Sequence, residues 1–156
     1  SHGSMNNIAM GSAGSEQYPA WDYYETIGGG MGASAVSDGQ DAVQTHMTNT
    51  LNTPIESLEM NYPLRVKRYQ VRRGSGGEGK HRGGDGLIRE FEFLAPTEVT
   101  VLSERRRHVP WGLAGGDSGE MGLNHSGEIK LSGKFHRQFE KGDSLIIETP
   151  GGGGFE

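Results

Sequence analysis

Clustered glycine constrains this chain more than any other feature. Of its 156 residues, 27 are glycine. They gather at Gly28-Gly29-Gly30 with Gly32, at Gly74, Gly76, Gly77 and Gly79, at Gly83, Gly84 and Gly86, and in a terminal Gly151-Gly152-Gly153-Gly154. No collagen period connects them, and valine, isoleucine and aromatics recur between the clusters, so this is neither a fibrous nor a low-complexity sequence. A residue without a Cβ lets two backbones approach closely but costs more entropy to order. The expected class is therefore mainly β with one or two short helices, α+β being the alternative, in a single compact domain of antiparallel strands with long glycine-rich loops. The length suits one domain with a real core.

Residues 1–19 are expected to be a tag scar, Ser1-His2-Gly3-Ser4, followed by a small, polar, extended or poorly ordered arm that needs a neighbour to order it. The folded domain is expected over 20–150, with 151–156 as a glycine tail that either frays or binds something. Trp21 to Ile27 can enter a strand. Thr53-Pro54-Ile55-Glu56 carries a helix start, with Thr53 as N-cap, Pro54 at the first helical position and Glu56 closing a capping box, and Pro63 limits the helix to about two turns. Leu64 to Val71 alternates and then slips by one residue, the pattern of a bulged strand. Leu87 to Leu94 places Leu87, Arg89, Phe91 and Phe93 on one side, and with Glu98 to Glu104 it predicts a hairpin. Gly127 to Leu131, Phe135 to Phe139 and Asp143 to Thr149 complete the expected strands.

The net charge of −5 argues against a general polyanion binder, and aromatics are sparse in the basic run Arg65 to Arg73, so nucleic acid is not an expected partner. There are no cysteines, which excludes disulfides, thiolate metal sites and a cysteine nucleophile and is compatible with a reducing cytoplasm. No apolar run reaches the roughly 18 residues of a membrane helix.

Gly74 to Lys80 has the spacing of a phosphate-binding loop, but His81 stands where Ser or Thr would hold magnesium, and the loop feeds a strand instead of a helix. A nucleotide site is therefore not expected there. The Gly28 to Gly32 run could cradle an oxyanion with its amides or could simply permit close strand packing. His46, among Thr45, Thr48, Asn49 and Thr50, has the surroundings of a metal ligand, an acid-base group or an orienting donor, although a histidine without a partner at helical spacing is more often just hydrogen-bonded. In Arg105-Arg106-Arg107-His108, one or two guanidinium groups could clamp a carboxylate or phosphate, or the run could be solvated or face an interface.

Tyr24-Glu25-Thr26-Ile27-Gly28-Gly29-Gly30-Met31-Gly32-Ala33, then Thr45-His46-Met47-Thr48-Asn49-Thr50 and Asn52 to Glu56, resemble the C-terminal part of the hydantoinase B family. That family includes the B half of 5-oxoprolinase and is related to an acetone carboxylase subunit. Tyr62-Pro63-Leu64, Ser75-Gly76-Gly77, Arg82-Gly83-Gly84, Ser103-Glu104-Arg105, Pro110-Trp111-Gly112-Leu113 and Glu148-Thr149-Pro150 with its four glycines extend the likeness along almost the whole chain. Met5-Asn6-Asn7 looks like part of it, so Met5 need not be a true start.

The resemblance implies a C-terminal portion of the B component of an ATP-dependent cyclic-amide hydrolase that opens a hydantoin or 5-oxoproline ring, cytoplasmic and inactive alone. It implies a hydantoinase A-like partner that uses the ATP, and a divalent metal whose main ligands lie in an N-terminal region absent here. By this resemblance His46, Thr48 and Asn49 line the catalytic site, with His46 as a metal ligand or as the group that positions the attacking water. Gly28, Gly29, Gly30 and Arg105 would hold the oxyanion or substrate. The alternative is a structural, subunit-interaction module of a related carboxylase complex.

Overall fold

The computed structural model describes residues 3–156; Ser1 and His2, the start of the expected tag scar, lie outside the described residues. Among the described residues nine strands and one α-helix form: β1 Asn6–Ser12, β2 Trp21–Thr26, α1 Ile55–Asn61, β3 Leu64–Arg72, β4 Gly86–Phe93, β5 Thr97–Ser103, β6 Leu123–Ser126, β7 Ile129–Leu131, β8 Lys134–Phe139 and β9 Ser144–Glu148. They build a four-stranded sheet in the order β2-β1-β5-β8 and a five-stranded sheet in the order β3-β4-β9-β6-β7. Every pairing is antiparallel. The mainly β class with one short helix is what the sequence predicts.

Alternation decides which side chains enter the space between the sheets. Ile8 and Met10 of β1, Val99 and Val101 of β5 and Phe139 of β8 meet Leu87, Phe91 and Phe93 of β4 and Leu145 and Ile147 of β9 in one buried cluster. Phe93 stacks on Phe139 at 4.9 Å between centroids, joining the two sheets. Arg89, on the same face of β4 as expected, is buried there too. The slip in β3 is a bulge between Val66 and Arg68.

Three expectations change. β4 and β5 form no hairpin: β4 pairs with β3 and β9, whereas β5 pairs with β1 and β8, so Leu94 to Pro96 carries the chain from one sheet to the other. The expected arm has its neighbours within the chain, since β1 is an inner strand held by β2 and β5. The helix keeps its expected end at Asn61 but starts at Ile55 behind Pro54, with no side-chain cap bond.

The glycine tail does not fray; it is buried among the long loops. Gly152 donates to Gly84 O at 2.8 Å and accepts from Gly77 N at 2.8 Å, while Gly154 donates to Asp117 O at 2.9 Å and accepts from Leu113 N at 2.9 Å. Ala33 N donates to Gly153 O at 2.9 Å. A Cβ at Gly152 would lie 2.0 Å from Met31 O, and one at Gly30 would lie 2.0 Å from Gly84 O. Glycine is required at these crossings because backbone faces backbone.

Candidate functional site

The segment from Ala42 to Thr53 lies between β2 and α1, with Ala42 packed against the core cluster. Its entry is fixed by a two-way backbone bridge: Gly29 N donates to Val43 O at 3.0 Å and Val43 N donates to Gly29 O at 2.9 Å. The Gln44 side chain adds a bond to Thr26 O. A 3-10 turn follows over His46–Thr48. The Thr48 hydroxyl donates to Thr45 O at 2.7 Å and accepts from Thr45 N at 3.1 Å, closing that turn from a buried position. His46 has φ +56, a left-handed backbone that is costly for a residue with a Cβ, and its side chain is exposed. Asn49 is exposed and its amide closes the turn onto His46 O at 3.1 Å.

Of the three expected catalytic residues, His46 and Asn49 present side chains to solvent and Thr48 holds the turn. The bridge brings this segment beside Gly28 to Gly30. Gly30 N donates to Pro150 O at 3.0 Å, so the Gly29 and Gly30 amides are both engaged within the chain. The position these glycines occupy is one of close packing, the other reading of the run. Among the described residues no group of three or more His, Asp or Glu stands together as a metal centre.

Arg105 lines cavities to which His46 does not contribute. It has φ +58, and its guanidinium sits over the Trp111 ring at 4.5 Å. It lines a small cavity of about 120 Å³ with Gly32, Trp111, Gly152 and Gly153, and also a larger one of about 630 Å³. His46, Thr48 and Asn49 contribute to neither.

The loop Gly74 to Asp85 ends in β4, not in a helix, and its polar contacts run both within the loop and to the segments around it. The Asp85 carboxylate, buried, accepts from Gly76 N at 2.8 Å and from Arg82 Nη2. Burial pushes the Asp85 carboxyl up, but the Arg82 guanidinium and the Gly76 and Gly74 amides outweigh it and hold it below the usual carboxylate range. Asp85 N donates to Asp41 Oδ1 at 2.7 Å, tying this loop to the segment that leads to His46.

Three groups escape a reading of the sequence. Arg89 is fully buried and doubly bonded to Glu25, Nε to Oε1 at 3.0 Å and Nη2 to Oε2 at 3.1 Å. Tyr23 donates its hydroxyl to Glu25 Oε2 at 2.7 Å. A signal is present, because an arginine among Leu87, Phe91 and Phe93 on an apolar face needs a buried partner, but the partner's position is not readable. The third group is Arg106, buried behind its neighbours in the basic run.

Fold and site define a two-sheet β-sandwich whose long loops are locked by a threaded glycine tail, with an exposed histidine turn at one place and a basic cavity at another. The hydantoinase B/oxoprolinase family model matches residues 1–155, so the chain belongs to that family. That match includes Ser1 to Ser4. A 5-oxoprolinase from Dictyostelium discoideum and 5-oxoprolinase 1 from Arabidopsis thaliana are each 48% identical over 99% of this chain and 12% of their own length. One component of a putative D-/L-hydantoinase from Pseudomonas sp. is 36% identical over 98% of the chain and 27% of its own length. The chain thus spans about an eighth to about a quarter of these relatives.

Among solved structures, a nucleotide-free acetone carboxylase shares the fold, with a TM-score of 0.76 at 19% identity over 96% of this chain and 25% of that one. An ATP-dependent caprolactamase from Pseudomonas jessenii superposes with a TM-score of 0.74 at 26% identity, covering 96% of this chain and 28% of that one. Among the described residues no helix is long and apolar enough to cross a membrane.

Proposed function

We propose that this chain is a C-terminal portion of the B component of an ATP-dependent cyclic-amide hydrolase, working in the cytoplasm with a hydantoinase A-like partner that uses the ATP. The observation that carries this reading is the 48% identity to 5-oxoprolinases along 99% of the chain. Within that enzyme the chain serves as a rigid platform. Its glycine crossings fix the loops, and the loops present the His46 turn at the surface, where a substrate bound elsewhere in the complete protein can reach it.

His46 carries an imidazole able to accept a proton from an attacking water, with Asn49 three residues on as a donor and acceptor. The strained backbone at His46 supports a functional turn. A divalent metal, when bound in the complete protein, would supply Lewis acidity from ligands outside this chain. Taken alone, the chain is a structural and interaction module. Val36, Leu51 and Trp111 are exposed large apolar side chains of the kind that other parts of an assembly cover.

The test is ring-opening by the complete enzyme carrying His46→Ala, with ATP hydrolysis followed in parallel. Proton transfer by a positioned side chain contributes typically about 100-fold or more, so turnover should fall by about that factor while partner binding persists. Unchanged turnover would remove His46 from the chemistry.

A further inference from the structure

The basic run after β5 does not spread over the surface. Arg105, Arg106 and Arg107 join Lys134, at the start of β8, around the cavity of about 630 Å³, whose wall also includes His108, Ser103 and Ser132. Glu104 is the one acidic residue in that lining. Arg106 and Arg107 also border an adjoining cavity of about 240 Å³ that adds Lys130.

Arg65, Arg68, Arg72, Arg73, Arg82 and Arg89 each have a carboxylate within 4.0 Å. Among the described residues Arg105, Arg106, Arg107, Lys130 and Lys134 have none. Lys67, Lys80, Arg137 and Lys141 lack one too but line neither cavity, so among the described residues four of the nine unpaired cations meet at the larger cavity and a fifth, Lys130, at the adjoining one, in a chain whose net charge is −5.

Arg106 forms the floor. It is 9% exposed and held by neutral oxygens: Nε and Nη2 donate to Asn124 Oδ1 at 3.2 and 3.0 Å, and Nη1 donates to Asn6 Oδ1 at 2.7 Å and Glu104 O at 2.6 Å. Asn124 is itself fixed by its Nδ2, which donates to Ser103 Oγ at 2.9 Å and Ser132 O at 3.1 Å. Those contacts satisfy hydrogen bonding without cancelling the charge. Burial, with Arg72 nearby, pushes the guanidinium down to about 9. A buried cation that is oriented but not neutralised is costly by itself.

We propose that this cavity binds a phosphate group, borne by a small molecule or free, with Arg106 as a fixed floor and Arg105, Arg107 and Lys134 as the clamp. Several cations and a single acid suit a dianion better than one carboxylate, and planar guanidinium groups match phosphate oxygens in pairs. The volume lies within the range of small-molecule pockets. The site is separate from the His46 turn, and the inference does not depend on the reading given under Proposed function.

The experiment is calorimetric titration of the chain at low ionic strength with inorganic phosphate, glycerol 3-phosphate and glutarate. The expected result is saturable one-to-one binding of phosphate or its monoester, weakened about tenfold or more in Arg105→Ala/Lys134→Ala, both of which lie at the cavity's rim. Lys67→Ala/Lys141→Ala, which removes equal charge from exposed positions elsewhere, should bind as the parent does. Tighter binding of the monoester would identify a phosphorylated small molecule, and equal binding would identify free phosphate. No saturable binding, equal weakening in the two double variants, or glutarate bound as tightly as phosphate would each overturn the proposal.

Discussion

At the scale of single residues, the buried polar groups carry sharper consequences than the exposed histidine. Tyr23 is buried beside Glu25, and burial first, then the Glu25 charge, pushes its phenol up to about 12. A phenol in the unfolded chain ionises near pH 10, while the native one stays neutral for about two more units. Between those values the unfolded state holds fewer protons, so stability falls as pH rises from about 10 to about 12. At roughly 1.4 kcal/mol per unit the loss is on the order of 2 kcal/mol. Tyr23→Phe should lose about 1 kcal/mol at neutral pH with its hydrogen bond and show a shallower alkaline decline. Urea unfolding across that range checks both, and an unaltered slope would count against the assignment. Arg89 belongs to the same scale: its placement on the apolar face is readable, but Glu25, 64 residues earlier in the chain, is not identifiable as its partner.

At the scale of elements, alternation tells which side chains of a strand share a face but not which strand lies alongside. β4 and β5 each follow the expected pattern, and the short Leu94 to Pro96 link suits a hairpin as well as it suits a step between sheets. The step occurs because β9 and β3 flank β4 while β1 and β8 flank β5. β1 is hard to read as a strand since its inward positions include Asn6, whose buried side chain accepts from Arg106 at 2.7 Å and donates to Ser4 Oγ at 3.3 Å. The terminal glycines are an element too, although without regular structure. Gly152→Ala would drive a Cβ to 2.0 Å from Met31 O, a backbone atom in a loop fixed on both sides. The expected cost is about 3 kcal/mol or more, at the upper end for overpacking. Gly127→Asn, at φ +57 with open space around it, should cost under about 1 kcal/mol. Thermal unfolding of the two variants separates crowding from glycine content; equal losses would mean that the crossing is not rigid.

At the scale of the whole molecule, two sheets and a set of locked loops behave as one body only if something ties them together. The apolar cluster does most of this, and the Arg89–Glu25 pair adds a charged tie from β4 to β2 across the sandwich. Glu25→Ala leaves a buried guanidinium without its counter-ion and should destabilise by about 3–5 kcal/mol. Glu25→Leu combined with Arg89→Met should recover most of that loss, because the pair's attraction is largely offset by its desolvation. Denaturant titration of both variants provides the comparison, and a loss below about 1 kcal/mol in Glu25→Ala would show the tie to be dispensable.

Sequence alone determined the β class, the bulge in β3, the end of α1, the inward face of β4 and, through motifs spread along the chain, its family. These follow from local rules: side-chain period, proline geometry, and residue types at short spacing. Tertiary structure decided the strand partners, the threading of the glycine tail, the engagement of the Gly29 and Gly30 amides, and the meeting of Arg105, Arg106, Arg107 and Lys134 around one cavity. Each of those depends on which distant segment arrives at a given place, and local chemistry permits several distant segments to arrive there.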